Sequence, residues 1–363
     1  MTLRKRAPSI LAGLALVAAL PIGAAHSSAA PAVGNKASYS PDVSSNGRFI
    51  VFASDATNLV TGDTNGKRDI FIRDTVTRKT KLVSKAGAKL ANFNSFQPVV
   101  SDDGRFVAYL SDATNLVPND TNGVTDAFRT DLTTGATVRV SVSTAGVQAN
   151  GVTDGIDMSA NGSAIAFSST ATNLASTGGS SRNVFLRDQV SIPTTRLIGP
   201  GDWPSVSPNG KFVSTREGHW SRSSASYTPY SMLDLKVSNA GPSGRYYEGR
   251  ETRYYLEVTA LPASRSFTWS GYGQSFQLIN FDLSTWGAVV LFQEPEYEAD
   301  PNSQPLVVVD ATGVLYRKSV AIREGHFAMA SSAKHVAYAL KTGQVVLWTL
   351  ASGATQTVSV SNG

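Results

Sequence analysis

The stretch SYSPDVSSNGRFIVFAS, residues 38–54, decides the fold, because it returns along the chain. It comes back as FQPVVSDDGRFVAYLS at 96–111, DGIDMSANGSAIAFSS at 154–169 and DWPSVSPNGKFVSTRE at 202–217. Looser copies are SFQLINFDLSTWGAVVLFQ at 275–293 and HFAMASSAKHVAYAL at 326–340. Each copy is two alternating apolar runs joined by a turn. Asn46-Gly47, Asp103-Gly104, Asn161-Gly162 and Asn209-Gly210 suit the positive φ of two-residue hairpin turns. Trp286-Gly287 and Ala333-Lys334 stand at the same place in the looser copies.

A second hairpin follows each of these. Its first strand is DIFIRD ending at Asp74, DAFRTD ending at Asp131, NVFLRD ending at Asp188, LVVVD ending at Asp310, or QVVLWTL ending at Leu350. Four strands per unit make one blade of a β-propeller. Six starts, at residues 38, 96, 154, 202, 275 and 326, predict an all-β, six-bladed propeller of four-stranded antiparallel blades over 26–363.

The hairpin with its Gly turn and the D-x-F-x-x-D strand resemble the PD40 (WD40-like) repeats of TolB-like propellers. The resemblance covers most of the chain after residue 25. It implies a fold and no activity. It carries over no Tol–Pal role, because the repeats leave no room for the separate N-terminal domain of TolB.

Composition agrees with a β-fold and excludes some chemistry. The chain has 363 residues, 41% of them hydrophobic, and 31 glycines. It has no cysteine, so neither disulfides nor thiolate chemistry is available to it. Arg4, Lys5 and Arg6 precede an apolar run, Ile10 to Ile22, and small residues at 23–25. That order predicts a secretory signal over 1–25 and a secreted or envelope-associated protein. Residues 26–363 then hold 29 basic side chains against 27 acidic ones, a net charge of +2. No basic cluster remains to favour nucleic acid. No second segment is apolar enough to span a membrane, and a monomer is expected.

Two loops carry metal-like patterns. SDATNLVTGDTNGKRDIF at 54–71 contains Asp63, Asn65 and Asp69; SDATNLVPNDTNGVTDAF at 111–128 contains Asp120, Asn122 and Asp126. Oxygen ligands around a glycine bend suit calcium. The same residues also stabilise turns by bonding their own backbone. The third copy, at 169–185, has Thr170, Gly178 and Asn183 in place of acids. The Asn-Leu-Val triplet of these loops reads as an apolar plug that packs the loop onto its blade.

Residues 216–273 break the repeat and read as an aromatic-rich insertion in the fourth blade. Trp220, Tyr246, Tyr247, Tyr255 and Trp269 lie there, with Arg250 among them. Exposed Trp, Tyr and Arg favour recognition of a protein or carbohydrate. Strand alternation in RYYLEV places Tyr254 and Leu256 opposite to Tyr255, so some of these are core. His219 and His326 sit in similar pentads, REGHW and REGHF. With Glu217 and Glu324, or with the acidic run Glu294 to Asp300, they would serve an extracellular polysaccharide hydrolase or lyase. The leading expectation is a non-catalytic binding propeller; a structural calcium-binding propeller is the third reading.

Overall fold

The strands that the repeat predicts are present among the described residues, and within each sheet each strand pairs with the next in the chain. The structure, a computed structural model, describes residues 31–362 apart from 176–181, 190–191, 216–217, 230–233, 239–240, 249–253, 259–266, 271–276, 285–286, 294–303, 311–314, 321, 331 and 333, and describes side chains outside 229–315, 317 and 319–325. The expected signal segment lies outside the described residues.

Among the described residues the strands form seven four-stranded antiparallel sheets, spanning residues 38–82, 95–139, 153–200, 205–229, 234–270, 277–320 and 322–357, and a two-stranded sheet, Lys85–Ala86 with Lys89–Leu90. No helix occurs among the described residues. The count corrects the expected six. The fourth sheet is built from short strands, Ser205–Val206, Phe212–Ser214, Gly218–Ser221 and Ser226–Pro229. It is complete by residue 229. The aromatic-rich segment therefore has length enough for its own sheet, with strands Asp234–Ser238, Gly241–Glu248, Tyr254–Val258 and Phe267–Ser270.

The core lies between consecutive sheets rather than within one. Val51, Ile70 and Val83 of the first sheet pack with Val107, Tyr109 and Phe128 of the second. Leu110 and Ala127 meet Ile165, Phe167 and Phe185 of the third. Ala166, Val184 and Leu186 meet Val213 and Trp220 of the fourth. Ile50, Phe52 and Phe71 meet Ala337, Ala339 and Leu347 of the last sheet in the same way. One stacked ring pair recurs within the sheets: Phe52–Phe71, Tyr109–Phe128 and Phe167–Phe185, with centroids 5.9, 6.0 and 5.7 Å apart. The loop plugs behave as read: Leu59, Leu116 and Leu174 are buried.

The hairpin glycines join one sheet to the next. Gly104, at φ 72°, lies on the Phe49 ring so closely that a Cβ would sit 2.0 Å from a ring carbon. Gly162 meets Phe106 likewise, at 2.5 Å, and Gly47 meets the His335 ring at 2.5 Å. Phe49, Phe106 and His335 all occupy the start of their sheet's second strand. The contact between the last sheet and the first is thus the one made inside the array.

Gly104→Ala forces both a left-handed alanine and an overlap with Phe49, and should cost about 3 kcal/mol. Gly123, at φ 67°, has open space where its Cβ would be. Its replacement by alanine should cost about 1 kcal/mol, from the backbone alone. Urea midpoints of the two variants should separate accordingly.

Candidate functional site

The first strand of each sheet lies next to the first strand of the following sheet. Asp42 accepts a hydrogen bond from the Val100 amide at 2.7 Å, and Asp157 one from the Val206 amide at 2.6 Å. Along these strands one position departs from extended backbone. Ser40, Gln97 and Trp203 have φ of 43°, 49° and 50°. Each precedes a proline, which steers it away from right-handed helical backbone. Ser40 and Gln97 lie in the register shifts that separate Tyr39 from Asp42 and Phe96 from Val99. Such β-bulges re-aim side chains. Gly155 holds the equivalent place in the third sheet. A Cβ there would lie 2.6 Å from the Ser168 hydroxyl and 3.0 Å from Pro204, so the glycine makes room for both.

Trp203 is the residue that sequence reading missed. It is 66% exposed, in a backbone conformation rare for a bulky side chain. The available signal was a tryptophan where other repeats carry Ser, Gln or Gly.

His326 occupies the same repeat position in the seventh sheet. Its Nδ1 lies 2.9 Å from the Ser40 amide, which donates to it, and 3.1 Å from the Ser40 hydroxyl. Its ring meets Tyr39 edge-on at 6.0 Å. Tyr39 donates its hydroxyl to Asp55 at 3.0 Å. Arg68 makes two hydrogen bonds to the same carboxylate, at 2.9 and 3.1 Å, and lies over the Tyr39 ring at 4.1 Å. All four side chains are half-buried. A Tyr, an Arg and a His are thus held rigidly at the junction of the first and last sheets.

The other expected binding residues scatter. Trp220 is 4% exposed and belongs to the core between the third and fourth sheets, so it presents no recognition surface. Strand alternation buries it, because it pairs with Val213 on the inner row. His219 is on the adjacent row of that strand, opposite Ser214 and Thr228. Burial lowers its pKa. His219 and His326 therefore belong to the fourth and seventh sheets. In the fifth sheet Tyr247 pairs with Tyr255, while Tyr246 and Trp269 both pair with Leu256. Arg250, Glu217 and the run Glu294 to Asp300 lie outside the described residues. Among the described residues no three His, Asp or Glu side chains gather as a metal centre.

The two DTNG loops differ in charge balance. Asn65 donates to Asp69 at 2.7 Å and to the Ala91 carbonyl at 3.0 Å, and accepts from the Lys67 amide. Asn122 repeats the first two bonds with Asp126 and Ala149. Both asparagines brace their loops. Asp69 and Asp126 each accept from a buried serine, Ser84 and Ser141, at 2.5 Å. In the second loop the buried Arg139 guanidinium lies 3.1 Å from Asp120 and 3.6 Å from Asp126. It also donates to Gln148. In the first loop Leu82 stands where Arg139 does, opposite Phe71 as Arg139 is opposite Phe128. Burial pushes Asp69 up to about 6, against the pull of its Ser84 and Asn65 bonds and with the charge of Asp63 adding to the rise.

With sheets, core and site described, the molecule falls in the class of β-propellers. No family model and no curated protein matches the sequence. Among solved structures the chain is similar to a prolyl endopeptidase, 10% identical over 89% of this chain with a TM-score of 0.50. It spans about half, 49%, of that enzyme's length. It is similar also to the Cps50 (Swd1) β-propeller domain of Myceliophteria thermophila, 10% identical over 88% of this chain and 98% of that one, TM-score 0.50. An oligogalacturonate lyase of Vibrio parahaemolyticus is 11% identical over 90% and 78% of the two chains, with a TM-score of 0.41 that carries no argument. Identities of this size show the fold alone.

Arg139→Leu would leave Asp120 and Asp126 buried without a cation. In metal-free buffer at pH 7.5 it should cost about 3 kcal/mol. Burial already raises both carboxyls. Without the guanidinium they rise further, so the folded variant takes up protons where the unfolded chain does not. Its stability deficit should therefore shrink as pH falls through the folded values, and urea unfolding at pH 7.5 and 5.0 measures it.

Proposed function

We propose that the chain is a secreted, monomeric, non-catalytic β-propeller that recognises a protein partner. Kinship with TolB-like propellers is part of the proposal, resting on the repeated hairpins. The single observation that carries the reading is Trp203, exposed on a left-handed backbone at the innermost strand position. Exposing that much apolar area in a sparsely populated conformation costs free energy in the isolated molecule. Burial against a partner recovers it. Tyr39, Arg68 and His326 stand at or beside the repeat-equivalent level, and Trp, Tyr and Arg are the residue types that dominate binding energy. Ion pairing and stacking hold Arg68 and Tyr39, so little side-chain entropy is lost on binding.

A photo-crosslinking amino acid at position 203 should give a discrete protein adduct in the producing cells' medium or envelope. The same group at Val76, which is exposed in the turn between the third and fourth strands of the first sheet, should not. Tyr39→Ala with Arg68→Ala should weaken the adduct at least tenfold. Equal labelling from both positions would contradict the proposal, and an adduct with carbohydrate alone would move the partner to the other class.

A further inference from the structure

We infer that the first DTNG loop is a single calcium site, built from Asp63 and Asp69, and that in the second loop the Arg139 guanidinium takes the place of the ion. Asp63 is only 6% exposed, and both its carboxylate oxygens are buried with no hydrogen-bond partner. Asp69 is fully buried six residues on. A buried charge without a partner is costly unless something balances it.

The second loop shows what the balance looks like. The same two positions, Asp120 and Asp126, converge on one cation, the Arg139 side chain, itself 7% exposed. The repeat superposes the two loops: Asn65 and Asn122 make the same braces, and Ser84 and Ser141 the same bonds. The first loop thus keeps the anionic half of the arrangement. Leu82 and Leu90 stand in place of Arg139 and Gln148, so the cationic half and its anchor are absent.

Oxygen chemistry names the ligand class. Two buried carboxylates suit a hard divalent ion that completes its shell with water and backbone oxygen. Two charged ligands predict affinity in the submillimolar to millimolar range of extracellular calcium modules.

Calorimetric titration of the full chain, after stripping with chelator, uses calcium chloride, with magnesium chloride and sodium chloride as controls. The inference predicts one calcium per chain and a midpoint of thermal unfolding raised by about 3 °C or more at saturating calcium. Asp63→Asn should abolish both, while its midpoint in chelator stays at or above that of the natural chain. Leu82→Arg, which copies the second loop, should also abolish binding and raise the midpoint in chelator. Arg139→Leu should bind a second calcium. Identical midpoints in calcium and chelator, calcium binding retained in Asp63→Asn, or an equal response to magnesium would each overturn the assignment.

Discussion

The seating of a hairpin glycine on the ring that opens the second strand of the neighbouring sheet sets the approach of the last sheet to the first, the first to the second and the second to the third. A four-stranded sheet of this length has two apolar faces and cannot bury both alone. Packing face to face in sequence solves that, provided each sheet approaches the next at the same distance. Gly104 on Phe49 and Gly162 on Phe106 set the distance, and a side chain at either glycine would hold the sheets apart. Gly47 on His335 sets it between the last sheet and the first. A second contact recurs with it. Thr195 donates to the Val142 carbonyl at 2.6 Å, tying the tail of the second sheet to the third. Thr80 donates to the Val360 carbonyl at 2.9 Å, tying the tail of the last sheet to the first. Arg187 and Arg73 each donate to the threonine concerned.

Repetition of the backbone leaves the loops free to diverge in chemistry. The DTNG loops share their braces, their buried serine bonds and their apolar plugs. They differ in what neutralises two buried carboxylates, a guanidinium in one and, by our inference, an ion in the other. An internal arginine needs no ligand and adds a permanent charge. An ion makes local stability depend on the medium. The inner-strand bulge shows the same divergence. One backbone position carries Ser40, Gln97, Gly155, Trp203 and His326 in five of the sheets, so a regular scaffold presents an irregular set of side chains.

The hairpins and the D-x-F-x-x-D strands could be read directly, because Asn-Gly and Asp-Gly turns and period-two alternation are local signals. The apolar plugs at Leu59, Leu116 and Leu174 were readable for the same reason. The number of sheets was not. The fourth sheet's strands are two to four residues long, below the length at which alternation stands out, so residues 234–270 read as an insertion. Trp220 read as a recognition residue because its row in the strand depends on that pairing. Arg139 and Leu82 carry no motif at all; their meaning comes only from standing opposite Phe128 and Phe71. Trp203 was visible as a residue but not as a backbone conformation.

The last sheet meets the first through the same glycine-on-ring contact that joins the first sheet to the second and the second to the third. Val33 bridges Val360 in antiparallel fashion, with Gly34 donating to Ser359 at 3.0 Å and Ser361 to Ala32 at 2.8 Å. The natural chain has no cysteine, so Val33→Cys with Val360→Cys gives a single defined pair. Cα atoms in such a bridge lie about 4.5–5.5 Å apart, within reach of a disulfide. The account predicts that the pair oxidises in air without loss of the folded state, and that the oxidised form unfolds at a higher temperature than the reduced one by constraint of so long a loop. Two free thiols after oxidation, or a disulfide that lowers the unfolding temperature, would contradict it.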